Sequence, residues 1–131
     1  MIDIENFLFT QVKTALPSGT QAGATYSKSQ SKFPFVTLVV VDNTVVEKFI
    51  NSARIENFAD IMVEVNVYSN KTAGKKEECK KLIKIADEVL SNLNLTRTFC
   101  QPTPNLEDAT VYRMTARYRA IVDNELNIYR R

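Results

Sequence analysis

Along Asp60-Ile61-Met62-Val63-Glu64-Val65-Asn66-Val67-Tyr68, then Ser69-Asn70-Lys71-Thr72-Ala73-Gly74, then Lys75 to Leu93, the hydrophobic period switches from two residues to a helical one. The first part alternates: Ile61, Val63, Val65 and Val67 are interleaved with Met62, Glu64, Asn66 and Tyr68, as in a strand with two different faces. Beyond Gly74 the period lengthens to about 3.6 residues. Cys79, Leu82, Ile83, Ala86, Val89, Leu90 and Leu93 then share one side of an α-helix. Ser69, Asn70 or Thr72 is expected to cap that helix, with Gly74 in its first turn.

Nearer the N-terminus, Asp3 can cap an earlier helix whose apolar stripe is Ile4, Phe7, Leu8, Val12, Ala15 and Leu16. Pro17-Ser18-Gly19 stops it. Ser18 to Lys32 reads as a mobile loop with a short extended candidate at Ala24–Ser27. Phe33-Pro34-Phe35 opens a strand that is apolar on nearly every side to Val41, as expected of a central strand covered on both faces. Asp42-Asn43-Thr44 signals a turn or bulge, Val45 to Ile50 can resume the strand, and Asn51 to Asn57 is a second irregular stretch.

After the long helix, Thr96–Gln101 is a short strand and Pro102-Thr103-Pro104-Asn105 a stiff loop. Ala109–Val122 is a second long strand. Tyr112, Met114, Ala116, Tyr118, Ala120 and Val122 lie on one of its faces, and Arg113, Thr115, Arg117, Arg119 and Ile121 on the other. Asp123-Asn124-Glu125 turns the chain toward a terminal edge strand. The order is helix, strands, helix, strands. It predicts a single α+β domain over residues 1–131, a mainly antiparallel sheet with two helices packed on one face.

Composition agrees with an ordinary globular chain: 131 residues, 44% hydrophobic, 24% charged, net charge +2. A domain of this size buries roughly two-thirds of its unfolded surface without needing a disulfide or metal. The first residues have no basic and apolar leader pattern, and no apolar run approaches the roughly 18 residues of a membrane helix. A cytoplasmic setting is therefore expected, and no membrane partner. Cys79 and Cys100 are expected to be small buried hydrophobes.

Catalytic chemistry is poorly provided for. The chain has no histidine, so histidine triads and histidine metal ligands are excluded, and its two cysteines form no CxxC pair. No cofactor is expected. The strand–loop–helix joint at Asn70 to Lys76 imitates a phosphate-binding loop, but Ser69 stands at the upstream glycine position and Lys76 replaces the needed hydroxyl. The lysines of the second helix, Lys71 to Lys84, read best as a solvated face.

Arg113, Arg117 and Arg119 are sharper, because they line one face of one strand. Arg117 and Arg119 would stand about 7 Å apart, where repulsion in water costs only about 0.6 kcal/mol, so the row does not require an anionic ligand. Arginine suits bidentate pairing with carboxylates, and Glu64 or the acids of a neighbouring subunit are candidate partners. A single-strand nucleic-acid platform would interleave aromatics with the basic residues, yet Tyr112 and Tyr118 fall on the opposite face. A protein contact or internal pairing is favoured.

The joint Tyr68 to Glu78, the run Arg113-Met114-Thr115-Ala116-Arg117-Tyr118-Arg119, the Phe33-Pro34 strand opening and Glu56-Asn57 before the long strand together resemble the tail-completion proteins of long-tailed phages and prophages, the tail-terminator or tail-to-head joining family. The resemblance spans most of the chain. It implies a non-enzymatic subunit that forms a ring, typically a hexamer, which caps the tail tube and meets the head connector while DNA only passes through. The partners would be further copies of the chain, the tail tube protein and the head-completion protein. The location would be the host cytoplasm during assembly and then the virion tail or neck. Arg113, Arg117 and Arg119, with Glu64 opposite, are expected at the subunit interface or lumen, and the two irregular stretches at the tube and connector. A small nucleic-acid-binding module using the basic strand and helix faces is the competing reading.

Overall fold

A computed structural model describes residues 1–24, 33–46, 58–103 and 110–130. Along them run helix α1 (Glu5–Ala15), strands β1 (Gln21–Gly23), β2 (Phe35–Val45) and β3 (Phe58–Ser69), helix α2 (Lys75–Asn92), and strands β4 (Thr96–Pro102), β5 (Tyr112–Asp123) and β6 (Ile128–Arg130). The sheet order is β1-β2-β3-β5-β4, with β6 also paired to β5. All pairings are antiparallel except β1 with β2. This is the expected α+β architecture.

The alternation of β3 and β5 explains where the helices sit. Ile61, Val63, Val65 and Val67 stand beside Ala120, Tyr118, Ala116 and Met114. With Val36 and Leu38 of β2 they form one apolar surface, and both helices bury their stripes against it. Helix α2 contributes Cys79, Leu82, Ile83, Ala86 and Leu90, as the spacing predicts. Helix α1 contributes Leu8 and Val12, and its N-cap residue Ile4 continues their row. Full burial of one such side chain is worth about 1.5–3 kcal/mol. The α1 stripe is narrower than expected, because Phe7 is 40% exposed and Ala15 is exposed.

Several local expectations are corrected. The polar stretch from Ser18 contains β1, which pairs parallel to the start of β2 at Gln21–Gly23, before the Ala24–Ser27 candidate; residues 25–27 and 51–57 lie outside the described set. Strand β2 is second from the edge and is not covered on both faces: Val41 and Val45 are each 38% exposed. The bulge signal at Asp42 is real, for the β2–β3 register shifts between Val40 and Asp42. Glu5 of α1 serves that irregularity, accepting the Val40 N–H at 2.8 Å. Cys79 is buried, but Cys100, on edge strand β4, is exposed.

None of the three expected residues caps α2. Gly74 occupies the N-cap with φ +85°, a conformation open to glycine but costly for a residue with a Cβ. Ser69 instead donates its hydroxyl to the Glu78 carboxylate at 2.6 Å and accepts the Lys71 N–H. At the other end the helix closes in a Schellman arrangement. Asn94 takes φ +70°, its N–H donates to Ser91 O, and the Leu95 N–H donates to Leu90 O, with Leu90 and Leu95 both buried. The Asn94 side chain also donates to Ile128 O at 3.2 Å, joining β6 to the helix end. Asn94→Ala should therefore lower stability by about 1–2 kcal/mol, since alanine tolerates the left-handed conformation poorly and cannot reach Ile128. Denaturant midpoints at unchanged m-value would check it.

Candidate functional site

The second face of the sheet is built by the opposite parity of the same strands. Across β3 and β5 the neighbours are Tyr68 and Arg113, Asn66 and Thr115, Glu64 and Arg117, Met62 and Arg119, Asp60 and Ile121. Strand β2 sets Phe35, Thr37 and Val39 beside Tyr68, Asn66 and Glu64. Strand β4 sets Phe99 beside Arg117 and Gln101 beside Thr115. The four residues anticipated from the sequence thus lie on one face, and Arg117 and Glu64 are direct cross-strand neighbours.

This face is polar yet its centre is shut off from solvent. Glu64 is 6% exposed, Thr115 3%, and Asn66 and Thr37 not at all. Polar groups at that depth are costly unless hydrogen-bonded, a cost that the unpartnered Thr37 hydroxyl bears, and a carboxylate must also be balanced in charge. Arg117 Nε donates to Glu64 Oε2 at 3.0 Å, and Asn66 Nδ2 donates to Glu64 Oε1 at 3.0 Å. Asn66 Oδ1 accepts from Arg113 Nε at 2.9 Å and from the Thr115 hydroxyl at 2.6 Å. The Thr103 hydroxyl donates to that of Thr115. Reversing the Asn66 amide would turn its NH2 on the Arg113 donor and its oxygen on the carboxylate, so the network fixes one orientation.

Arg119 completes the row, with a guanidinium nitrogen 3.7 Å from Asp60 Oδ2. Two aromatic residues add to the arrangement: Arg113 lies 5.6 Å from the centre of the Tyr68 ring, and Arg117 5.4 Å from that of Phe99. Burial, the larger influence, raises the Tyr68 hydroxyl above its ordinary pKa, and the Arg113 charge opposes it. Reading β5 alone misses these rings. Tyr68 shares the parity of Glu64 and Asn66, so pairing β3 with β5 would have found it, whereas Phe99 becomes visible only once β4 is paired. Tyr112 and Tyr118 do lie on the helix side. Tyr118 is buried there and donates to Asp87, which also holds Arg97 at 2.9 Å.

No protein-family model matches the chain, and no match to it is found among curated proteins.

The remaining candidates form no reactive constellation. Among the described residues no group of three or more Cys, Asp or Glu could hold a metal ion, and no helix is long and apolar enough to cross a membrane. Of the lysines on α2, Lys75 donates to Thr110 O, while Lys76, Lys80, Lys81 and Lys84 stand exposed. Lys81 and Glu78, with Pro17, Thr20 and Leu82, line a hollow of about 190 Å³ on the helix side, away from the arginines. Cys79 faces backbone carbonyls of Val67 and Tyr112, and burial pushes its thiol up to about 12.

Three outcomes follow from this chemistry. Arg117→Ala should cost about 1–3 kcal/mol, less than for a fully buried pair because Arg117 is itself 47% exposed, and Glu64→Gln in the same chain should recover part of the loss. Urea unfolding of the two single variants and the double variant measures the coupling. In a thiol titration at mildly alkaline pH, Cys100 should react in the native protein and Cys79 only after unfolding. The raised Cys79 pKa also makes stability fall as pH rises from about 9 toward 12, since the unfolded thiol ionises first.

Proposed function

We propose that this chain is a structural assembly subunit, a tail-completion protein that joins copies of itself into a ring between a phage tail tube and the head connector. The observation that carries the reading is the arginine face, where charged side chains are held by one another and by buried partners instead of converging on a reactive centre. The two sequence runs behind the resemblance also meet in space: Tyr68 of the joint lies under Arg113 of the arginine run, and they are register partners. A patterned and rigid surface of this kind suits a contact made repeatedly between identical units.

On this reading Arg113, Arg117 and Arg119 border the lumen or the subunit interface. Three arginines set against the two carboxylates Glu64 and Asp60 leave a small positive excess per subunit. A wall so balanced attracts DNA weakly and lets it pass, whereas a gripping surface would present many free cations to phosphates. The subunit performs no catalysis, and it resides in the host cytoplasm until it enters the tail or neck of the virion.

The rival nucleic-acid reading draws on one observation, the pairing of aromatic rings with arginines. Here, however, the guanidinium groups lie against the very ring faces that bases would use. Native mass spectrometry and negative-stain imaging test the assembly reading, which expects rings several times the 14.9 kDa chain mass. A monomer whose tight DNA binding falls steeply with salt would instead establish the rival.

A further inference from the structure

Among the described residues the sheet ends in two edges without a further strand, and their features are complementary. On one side, β1 covers β2 only at Phe35–Thr37, and Glu5 takes the Val40 N–H. Among the described residues, Val41–Val45 is left without a strand neighbour on its outer side. On the other side, β4 and β6 lie end to end along β5, β4 meeting it as far as Arg119 and β6 from Ala120 onward. Their outer side also has no strand neighbour among the described residues, although the Asn94 side chain already takes the Ile128 carbonyl there. Open strand edges are templates for further pairing unless charge, bulge or cover blocks them.

Three features match the two edges. The first is direction. Strand β2 runs antiparallel to β3, β3 to β5, and β5 to both β4 and β6, so β2 is opposed to β4 and β6. A second copy added in the same orientation would therefore pair antiparallel. The second is position: following the register across the sheet, Val45 is level with Ile128, Asn43 with Arg130 and Asp42 with Thr96. The third is surface chemistry. The β2 edge carries the exposed Val41 and Val45 beside the exposed acids Asp42 and Asp3, the latter next to Ile2, whose carbonyl accepts from Asn43. The opposite edge carries the exposed Tyr129 and the exposed cation Arg130, with Arg97 nearby already paired with Asp87.

We infer that neighbouring copies join head to tail through these edges, the Val41–Val45 edge of one pairing with the β6 and β4 edge of the next. The contact is heterologous, so repetition closes a ring or extends a filament, and it leaves the arginine faces aligned along one continuous wall. The inference rests on the assembly reading and names its joint.

Sedimentation and native mass spectrometry of the full chain test it with two sets of variants. Val41→Lys with Val45→Lys alters only exposed positions and should leave circular dichroism and the unfolding midpoint close to wild type, while weakening self-association at least about tenfold. Asp3→Arg alone should weaken association, and Arg130→Asp in the same chain should restore it, since Asp3 follows Ile2, which Asn43 holds on the helix side at the level of Arg130. Multimers that withstand the valine changes would overturn edge pairing while leaving assembly through another surface. Particles that stop at two copies would also overturn it, since like edges would then be paired. A wild-type chain that stays monomeric at every concentration would overturn the joint and the assembly reading together.

Discussion

The carboxylate of Glu64 is 6% exposed in the middle of a sheet face that carries no helix among the described residues, and the rest of that face is arranged around its needs. An ionised group at that depth must have its oxygens hydrogen-bonded and its charge met nearby. Arg117 meets the charge and Asn66 takes the other oxygen. With its NH2 thus engaged, Asn66 can only accept at its carbonyl, and Arg113 and Thr115 supply the donors. One buried acid therefore settles the orientation of an amide, a hydroxyl and two guanidinium groups drawn from two strands.

The sheet is consequently closed on both sides by different means. Hydrocarbon from the helices covers one side, and its cohesion is non-directional. On the other side the long stems of the arginines lie over the strands, with Tyr68 and Phe99 beneath the charged ends. The directional bonds there make the surface stiff. Stiffness matters for a surface that meets the same neighbour many times, because little side-chain freedom is lost on contact.

Much of this was legible in the sequence, and the misses have physical causes. The change of hydrophobic period located β3 and α2, and the parity of β5 separated the arginines from the tyrosines before any pairing was known. That Glu64 and Asn66 would be buried could not be read from alternation alone, which only says that two faces differ. Their burial comes from side chains about 50 positions away in the chain, brought near by the β3–β5 pairing. Cys100 looked apolar in isolation, and only its edge position exposes it. The cap of α2 was misplaced because the joint offers several suitable side chains, while the helix begins at a glycine in a left-handed conformation. Strand β1 escaped notice because three residues carry no measurable period.

The row-by-row pairing of β3 with β5 also bears on how the two strands find one alignment. Along the helix side, Ile61, Val63, Val65 and Val67 are nearly interchangeable, so a slip of two residues would still set apolar against apolar. The opposite side has no such repeat. A slip one way sets Glu64 across from Thr115, with no cation directly opposite. A slip the other way offers it Arg119 but takes both Thr115 and Arg113 from Asn66. The valines supply cohesion without positional information, and the buried acid and amide act as the index mark that makes only one alignment complete.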